Sequence, residues 1–235
     1  MGRPAQGYYI DGKRIPSVTT ITGRFKDSGA LMFWANAVGL GERDCDDQEP
    51  CRHCGRRKGK NHREAMNKAA DVGKYAHALI EERVKGVEYE PADFAHLTPE
   101  QLELAGGCIE AFDNWWGRNV VEVVATELSL VSTAHRFGGT LDALCIIDDK
   151  LTLVDWKTSA GVYADYLAQL GGYLILVEEN GMGPIEQLEI LRISKETAGF
   201  DHLSRPRKAL QPALDYFLKA RDLYEADKAL AKLLK

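Results

Sequence analysis

The fold turns on the stretch Gly138-Gly-Thr-Leu-Asp-Ala-Leu-Cys-Ile-Ile-Asp-Asp-Lys-Leu-Thr-Leu-Val-Asp-Trp-Lys-Thr-Ser159. Two apolar runs, Leu141–Ile147 and Leu151–Trp156, flank Asp148-Asp149-Lys150, which has the composition of a turn. This pattern predicts a β-hairpin. With Asp148 and Asp149 as a two-residue loop, Ile147 faces Lys150, and counting back sets Asp142 opposite Asp155. Side chains alternate along a strand, so Lys157 shares a face with Asp155. That face collects two carboxylates and an ammonium among Leu144, Leu151 and Leu153. Like charges facing each other across a ladder are destabilising, and unpaired charges on an apolar face are costly. A divalent cation is the natural compensation, because hard ions take carboxylate oxygens. A three-residue loop would shift the register by one and undo the pairing. An exposed acidic edge with a stray lysine is the competing reading, and it leaves the charges on the apolar face of both strands unexplained.

The 235 residues, 45% hydrophobic and 28% charged, suit one globular domain over 1–235 with a small insertion. No apolar run reaches membrane-spanning length, and the first residues lack the charged and apolar regions of a signal peptide. Five cysteines, an odd number, without an export signal argue for a reducing, cytoplasmic setting. The net charge of −5 neither advertises nucleic-acid binding nor excludes it, since local patches outweigh the sum.

Upstream, residues 7–16 predict a small hairpin turning at Asp11-Gly12, and Ser17 a cap for a short helix over Val18–Gly23. Ala30–Leu40 carries a helical apolar stripe with Trp34 in it. Residues 41–61 are polar, aperiodic and rich in Gly, Cys and charge, which predicts a loop insertion. A helix follows from His62 to about Lys85, and Gly73 inside it implies close approach of another element. Thr98-Pro99-Glu100-Gln101 is a helix start, with the helix stopping at Gly117 and Trp115-Trp116 packing in the core or at its rim. Val120–Val131 reads as a strand containing Glu127. Ala164–Glu179 reads as a helix with Gln169 and Tyr173 on one face, and Gln187–Ile193 as a strand parallel to an earlier one. Phe200–Leu203 predicts a short strand, and Pro212 opens a long amphipathic helix. The order gives an α/β fold with a mixed central sheet flanked by helices.

Gly139-Thr-Leu-Asp142, Asp155-Trp-Lys157 and Gln169-x-x-x-Tyr173 resemble the PD-(D/E)XK nuclease superfamily in its RecB-like, phage-exonuclease branch. Gly73-x-x-x-His77 resembles that branch's upstream helix histidine, and Glu127 the acid on its first core strand. Pro16-Ser-Val-Thr-Thr-Ile21 and Trp34-Ala-Asn36 resemble the N-terminal region of single-domain members, including the mitochondrial genome-maintenance exonucleases. The likeness spans roughly residues 7–220 apart from 41–61. Asp precedes x-Lys in place of Glu, and Leu141 stands where the superfamily's Pro precedes the first Asp. The resemblance implies a restriction-endonuclease-like core and a DNA nuclease dependent on Mg²⁺ or Mn²⁺, with one or two ions. Asp142 and Asp155 would hold the ion, His77 and Glu127 would assist, and Lys157 would activate water, with nearby cations favouring its neutral form. Gln169 and Tyr173 would orient the site, and Thr158 and Ser159 would touch DNA. An exonuclease acting on DNA with a free end, in replication, recombination or repair, is the first expectation. A structure-dependent or adaptation-type endonuclease and a catalytically idle DNA-binding subunit are the alternatives.

The insertion over 41–62 carries Cys45, Cys51 and Cys54, with His62 eight residues on. Three thiolates and one imidazole make a closed tetrahedral site, so a structural Zn²⁺ is expected there; three free thiols in a loop is the competing reading. His53 lies inside the Cys-x-x-Cys step and fits less well. Arg52, Arg56, Arg57, Lys58, Lys60 and Arg63 on the same stretch would grip phosphates in a salt-dependent way, against a plain solvated charge run. Cys108 and Cys145 read as core.

Overall fold

A computed structural model describes residues 4, 7–25, 62–86, 94–119, 122–159, 161–194, 197 and 199–234. The expected helix at 30–40, Cys45, Cys51, Cys54 and the cations from Arg52 to Lys60 lie outside the described residues, as do the side chains of His62 and Arg63.

The chain begins with a hairpin of β1 (Tyr8–Ile10) and β2 (Lys13–Ile15), followed by α1 (Val18–Arg24). Asp11 and Gly12 both have positive φ, 49° and 69°, which matches the right-handed twist of the strands they join. Ser17 caps α1 by accepting from the Thr20 N–H at 3.0 Å. Two long helices follow, α2 (His62–Lys85) and α3 (Pro99–Asn119). At the start of α3 the Thr98 N–H donates to Gln101 Oε1, and the Gln101 N–H donates to Thr98 Oγ1. This is the reciprocal capping box that the sequence predicts. The helix runs past Gly117 to Asn119, because Trp115 and Trp116 hold the last turn against aromatic neighbours: Trp116 stacks on Phe112, and Trp115 meets His202.

A three-strand meander comes next: β3 (Glu122–Ser132), β4 (Phe137–Ile147) and β5 (Lys150–Thr158). Helix α4 (Ala164–Glu179) crosses over to β6 (Gln187–Ile193). Strand β7 (Phe200–Pro206) and α5 (Gln211–Lys232) complete the fold. The five-stranded sheet has the order β3-β4-β5-β6-β7, with β5 and β6 parallel and the other neighbours antiparallel. This is the mixed sheet expected; β7 extends three residues beyond the predicted strand because it pairs with the whole of β6.

The apolar residues of the sheet divide between two covers. On one face Leu144, Leu153, Leu188 and Ile190 pack with Val18, Leu170, Leu174, Leu214 and Phe217 of α1, α4 and α5. On the other, Ala143, Cys145, Val154, Trp156 and Leu191 pack with Ala76, Ile80, Cys108 and Phe112 of α2 and α3. Helices α4 and α5 touch closely because Gly171 has no side chain: a Cβ there would lie 2.4 Å from the Ala213 carbonyl oxygen. Backbone cannot swing aside as a flexible side chain can. Gly171→Ala should therefore destabilise the fold by roughly 2–3 kcal/mol, read as a lower denaturant midpoint with an unchanged m-value.

Candidate active site

The β4–β5 turn is the two-residue one, with Asp148 and Asp149 both left-handed at φ 50° and 58°. Ile147 pairs with Lys150, and the register runs up to Ala143–Val154. One further step sets Asp142 opposite Asp155. On the other side of β4, Thr126 pairs with Ala143 and Leu128 with Leu141, which sets Glu127 opposite Asp142. Three carboxylates thus occupy one rung on three adjacent strands, and neither couple is itself a ladder pair. Glu127 has a φ of 46°, a strained value for a residue with a long side chain. The register shift between Val123 and Ala125 is what brings it into line.

Asp142 turns its Oδ2 to the Trp156 N–H at 3.0 Å, so a side chain stands in for a backbone acceptor at this point of the hairpin. Asp155 is 1% exposed. Its Oδ2 lies 2.5 Å from Lys157 Nζ, and neither of its oxygens accepts a hydrogen bond of ordinary geometry among the described residues. Burial pushes both carboxyls above the usual range; Lys157 opposes the shift, and for Asp155 the neighbouring Asp142 adds to it. Burial works against the Lys157 ammonium, but Asp155 and Asp142 outweigh it and hold the lysine protonated. The neutral amine expected at Lys157 therefore requires that a cation first take up the carboxylate charge.

Helix α2 brings the remaining groups. Gly73 allows the approach, since a Cβ there would sit 2.8 Å from Thr158 Oγ1 at the end of β5. One turn later the His77 ring lies 6.4 Å from that of Trp156. Burial, then Lys157, lowers the His77 pKa to about 4, so the imidazole is neutral and free to accept. Glu127 is raised to about 7, first by burial and then by Asp142 and Glu81. Glu81, four residues after His77, also acts on Asp142 and pairs with Lys85. The sequence reading missed Glu81 and Lys85, although the i, i+4, i+8 spacing from His77 was there to be used.

From α4, Gln169 Nε2 donates to the Tyr173 hydroxyl at 2.8 Å. Burial, then Asp155 and Asp142, raise the Tyr173 pKa well above its ordinary value. Gly139 makes room for this ring: a Cβ there would meet Tyr173 Cε1 at 2.8 Å. Gly138 seats Tyr8 in the same way, with Tyr8 Cγ 2.4 Å from a Cβ, and the Tyr8 hydroxyl bonds Thr140 Oγ1 at 2.7 Å. Tyr8 and Tyr166, whose ring lies 5.5 Å from Lys157 Nζ, are further neighbours that motif matching did not include. Thr158 and Ser159 are half-buried, with Ser159 Oγ donating to the Gly161 carbonyl and its own carbonyl accepting from Arg192.

His77, Glu127, Asp142 and Asp155 are gathered in one region but are not closed around one point. Among the described residues no three His, Cys, Asp or Glu side chains form a ready ligand set. The reason is visible: Asp142 is turned to a backbone amide and Asp155 to a lysine. The donor chemistry nonetheless suits a hard cation, with two adjacent carboxylates, Asp142 half-buried and Asp155 buried and without a hydrogen bond of ordinary geometry among the described residues.

No family model matches the chain, and no curated protein matches its sequence. Solved structures are similar to it at a low level. An alkaline exonuclease from Laribacter hongkongensis is 16% identical, covering 72% of this chain and 92% of its own, with a TM-score of 0.34. A phage-related exonuclease from Haemophilus somnus is 15% identical over 75% of this chain and 90% of its own, with a TM-score of 0.34. A provisionally named exonuclease from Eubacterium rectale is 14% identical over 84% of this chain and 86% of its own, at 0.46. With similarity at this level, the functional reading rests on the geometry of the site.

Proposed function

We propose that this protein is a metal-dependent deoxyribonuclease, acting as an exonuclease on DNA with a free end, single- or double-stranded. The supporting observation is the rung of Asp142 and Asp155 with Lys157 beside it, in which the buried Asp155 makes no hydrogen bond of ordinary geometry among the described residues and lies against the Lys157 ammonium. Two carboxylates with one ammonium in an apolar interior are a net negative site that a cation would neutralise. Asp142 and Asp155 would hold Mg²⁺ or Mn²⁺, with His77 and Glu127 at its margin. Bound there, the ion would polarise a phosphodiester and make a water molecule acidic. Lys157, once its carboxylate partners are engaged, loses its proton more readily and takes one from the attacking water. Tyr173, kept un-ionised and oriented by Gln169, offers its hydroxyl as a donor to a phosphate oxygen. Thr158 and Ser159 would contact the DNA backbone. The insertion over 41–62 would carry a structural zinc ion on Cys45, Cys51, Cys54 and His62 and offer its cations to phosphates. Replication or recombination proteins are the fitting partners.

The test is digestion of end-labelled single- and double-stranded DNA with Mg²⁺, with EDTA, and with a circular single strand. Shortening from the ends with Mg²⁺, none with EDTA and an intact circle are the expected results. A cut circle would make it an endonuclease, and no cleavage of any substrate with Mg²⁺ or Mn²⁺ would make it a catalytically idle member of the fold.

A further inference from the structure

At the N-terminus of α4 the sequence spends a capping position on an aromatic. Tyr163 is the N-cap of the helix, with φ −116° and ψ 153°, and its side chain makes no capping hydrogen bond. Ser, Thr, Asp or Asn there would stabilise the helix by about 1 kcal/mol. The Tyr163 ring is only partly covered, 48% exposed, with Val162 beside it 37% exposed. It touches one aromatic neighbour, Tyr166, at 5.6 Å between centroids and 77° between planes. Tyr166 in turn lies 5.5 Å from Lys157 Nζ. Two short steps therefore lead from an exposed ring to the ammonium of the candidate active site, a span of the order of one or two nucleotides.

The support under Tyr163 is firm. Its carbonyl accepts from the Tyr166 N–H at 3.1 Å. The preceding loop is tied by Ser159 Oγ to the Gly161 carbonyl at 2.8 Å, and by Arg192 Nε to the Ser159 carbonyl at 2.8 Å. A backbone held this way loses little freedom on binding, which favours affinity. Edge-on packing at 77° also leaves an aromatic face uncovered by Tyr166. Aromatic faces of this kind accept any nucleobase, because every base has a π-face.

We propose that Tyr163 is a stacking platform for an unpaired nucleobase within one or two nucleotides of the phosphate being cleaved. The proposal rests on the nuclease reading above and adds to it the single-stranded character of DNA at the site. The ring, not the hydroxyl, carries the interaction.

The test is fluorescence anisotropy of an end-labelled single-stranded oligonucleotide with the full chain in EDTA, where the strand stays whole. Tyr163→Ala should weaken binding by about 5- to 100-fold, and Tyr163→Phe should stay within about 2-fold of wild type because the stacking face is kept. Abasic substitution, scanned along the strand, should reveal one position at which wild type loses a similar factor and Tyr163→Ala loses no more. Melting temperatures of both variants should match wild type, since the ring packs little. If wild type binds and cleaves DNA but Tyr163→Ala binds equally well, or no abasic position matters, the platform is rejected and the nuclease reading stands. If wild type neither binds nor cleaves DNA, both are rejected.

Discussion

Asp155→Asn should fold, and it should lose DNA cleavage by at least ~10³-fold. Asparagine keeps the shape and removes the charge, so the packing around this buried position is preserved. What disappears is the anionic oxygen pair that faces Lys157. Lys157→Met should give a loss of similar size for a different reason: the stem is retained while the proton-transferring group is gone. Measuring single-turnover cleavage of an end-labelled strand on both variants, with circular dichroism on the same samples, separates chemistry from folding. Wild-type rates in folded Asp155→Asn would remove this carboxylate from the mechanism and, with it, the reading of the rung as a catalytic site.

The second large effect concerns stability without metal. Folded-state pKa values of Asp142, Asp155 and Glu127 are raised, Glu127 to about 7. A raised carboxyl means that the folded state binds more protons than the unfolded chain, so stability falls as pH rises from the unfolded value through the folded one. His77, lowered to about 4, acts the other way between that value and 6.5. Three groups oppose one, and the net slope between pH 5 and 8 should be downward in EDTA. At pH 8, where the wild-type carboxyl with its pKa raised to about 6 is ionised, Asp155→Asn should be more stable than wild type. At pH 5, where the wild-type carboxyl is largely protonated, the two should be nearly equal. Millimolar Mg²⁺ should raise the wild-type melting temperature at pH 8 and leave the variant unmoved. A wild-type protein that is unaffected by Mg²⁺, together with a destabilised Asp155→Asn, would show that the rung is a self-sufficient ion-pair cluster.

Local signals carried much of this. The Asp148-Asp149 turn determines the β4–β5 register, and that register alone aligns Asp142 with Asp155. The bounds of α4 and β6 follow from periodicity, and the bond between Gln169 and Tyr173 follows from their spacing. What stayed hidden depends on how elements meet. Glu81 and Lys85 are ordinary polar helix residues until α2 is laid against the meander. Alignment of Glu127 with Asp142 requires a register irregularity, and no residue type announces one. Tyr8 lies 132 positions from Thr140, so nothing nearby in the chain points to their bond. The helix seen at Ala164 is legible, but the exposure of the residue capping it is a property of the surface.

The meander has a consequence for the order of assembly. Its three acids lie on strands joined by short connections, so they meet as soon as neighbouring hairpins close, a step with little loop entropy to overcome. The helix that brings His77 and Glu81 comes from far upstream, and α4 must complete a crossover before Tyr173 arrives. The charges therefore gather while still hydrated and lose their water only when the helices dock. Dehydration of the rung then accompanies the docking of these helices, and an opening that undocks them lets water back to it.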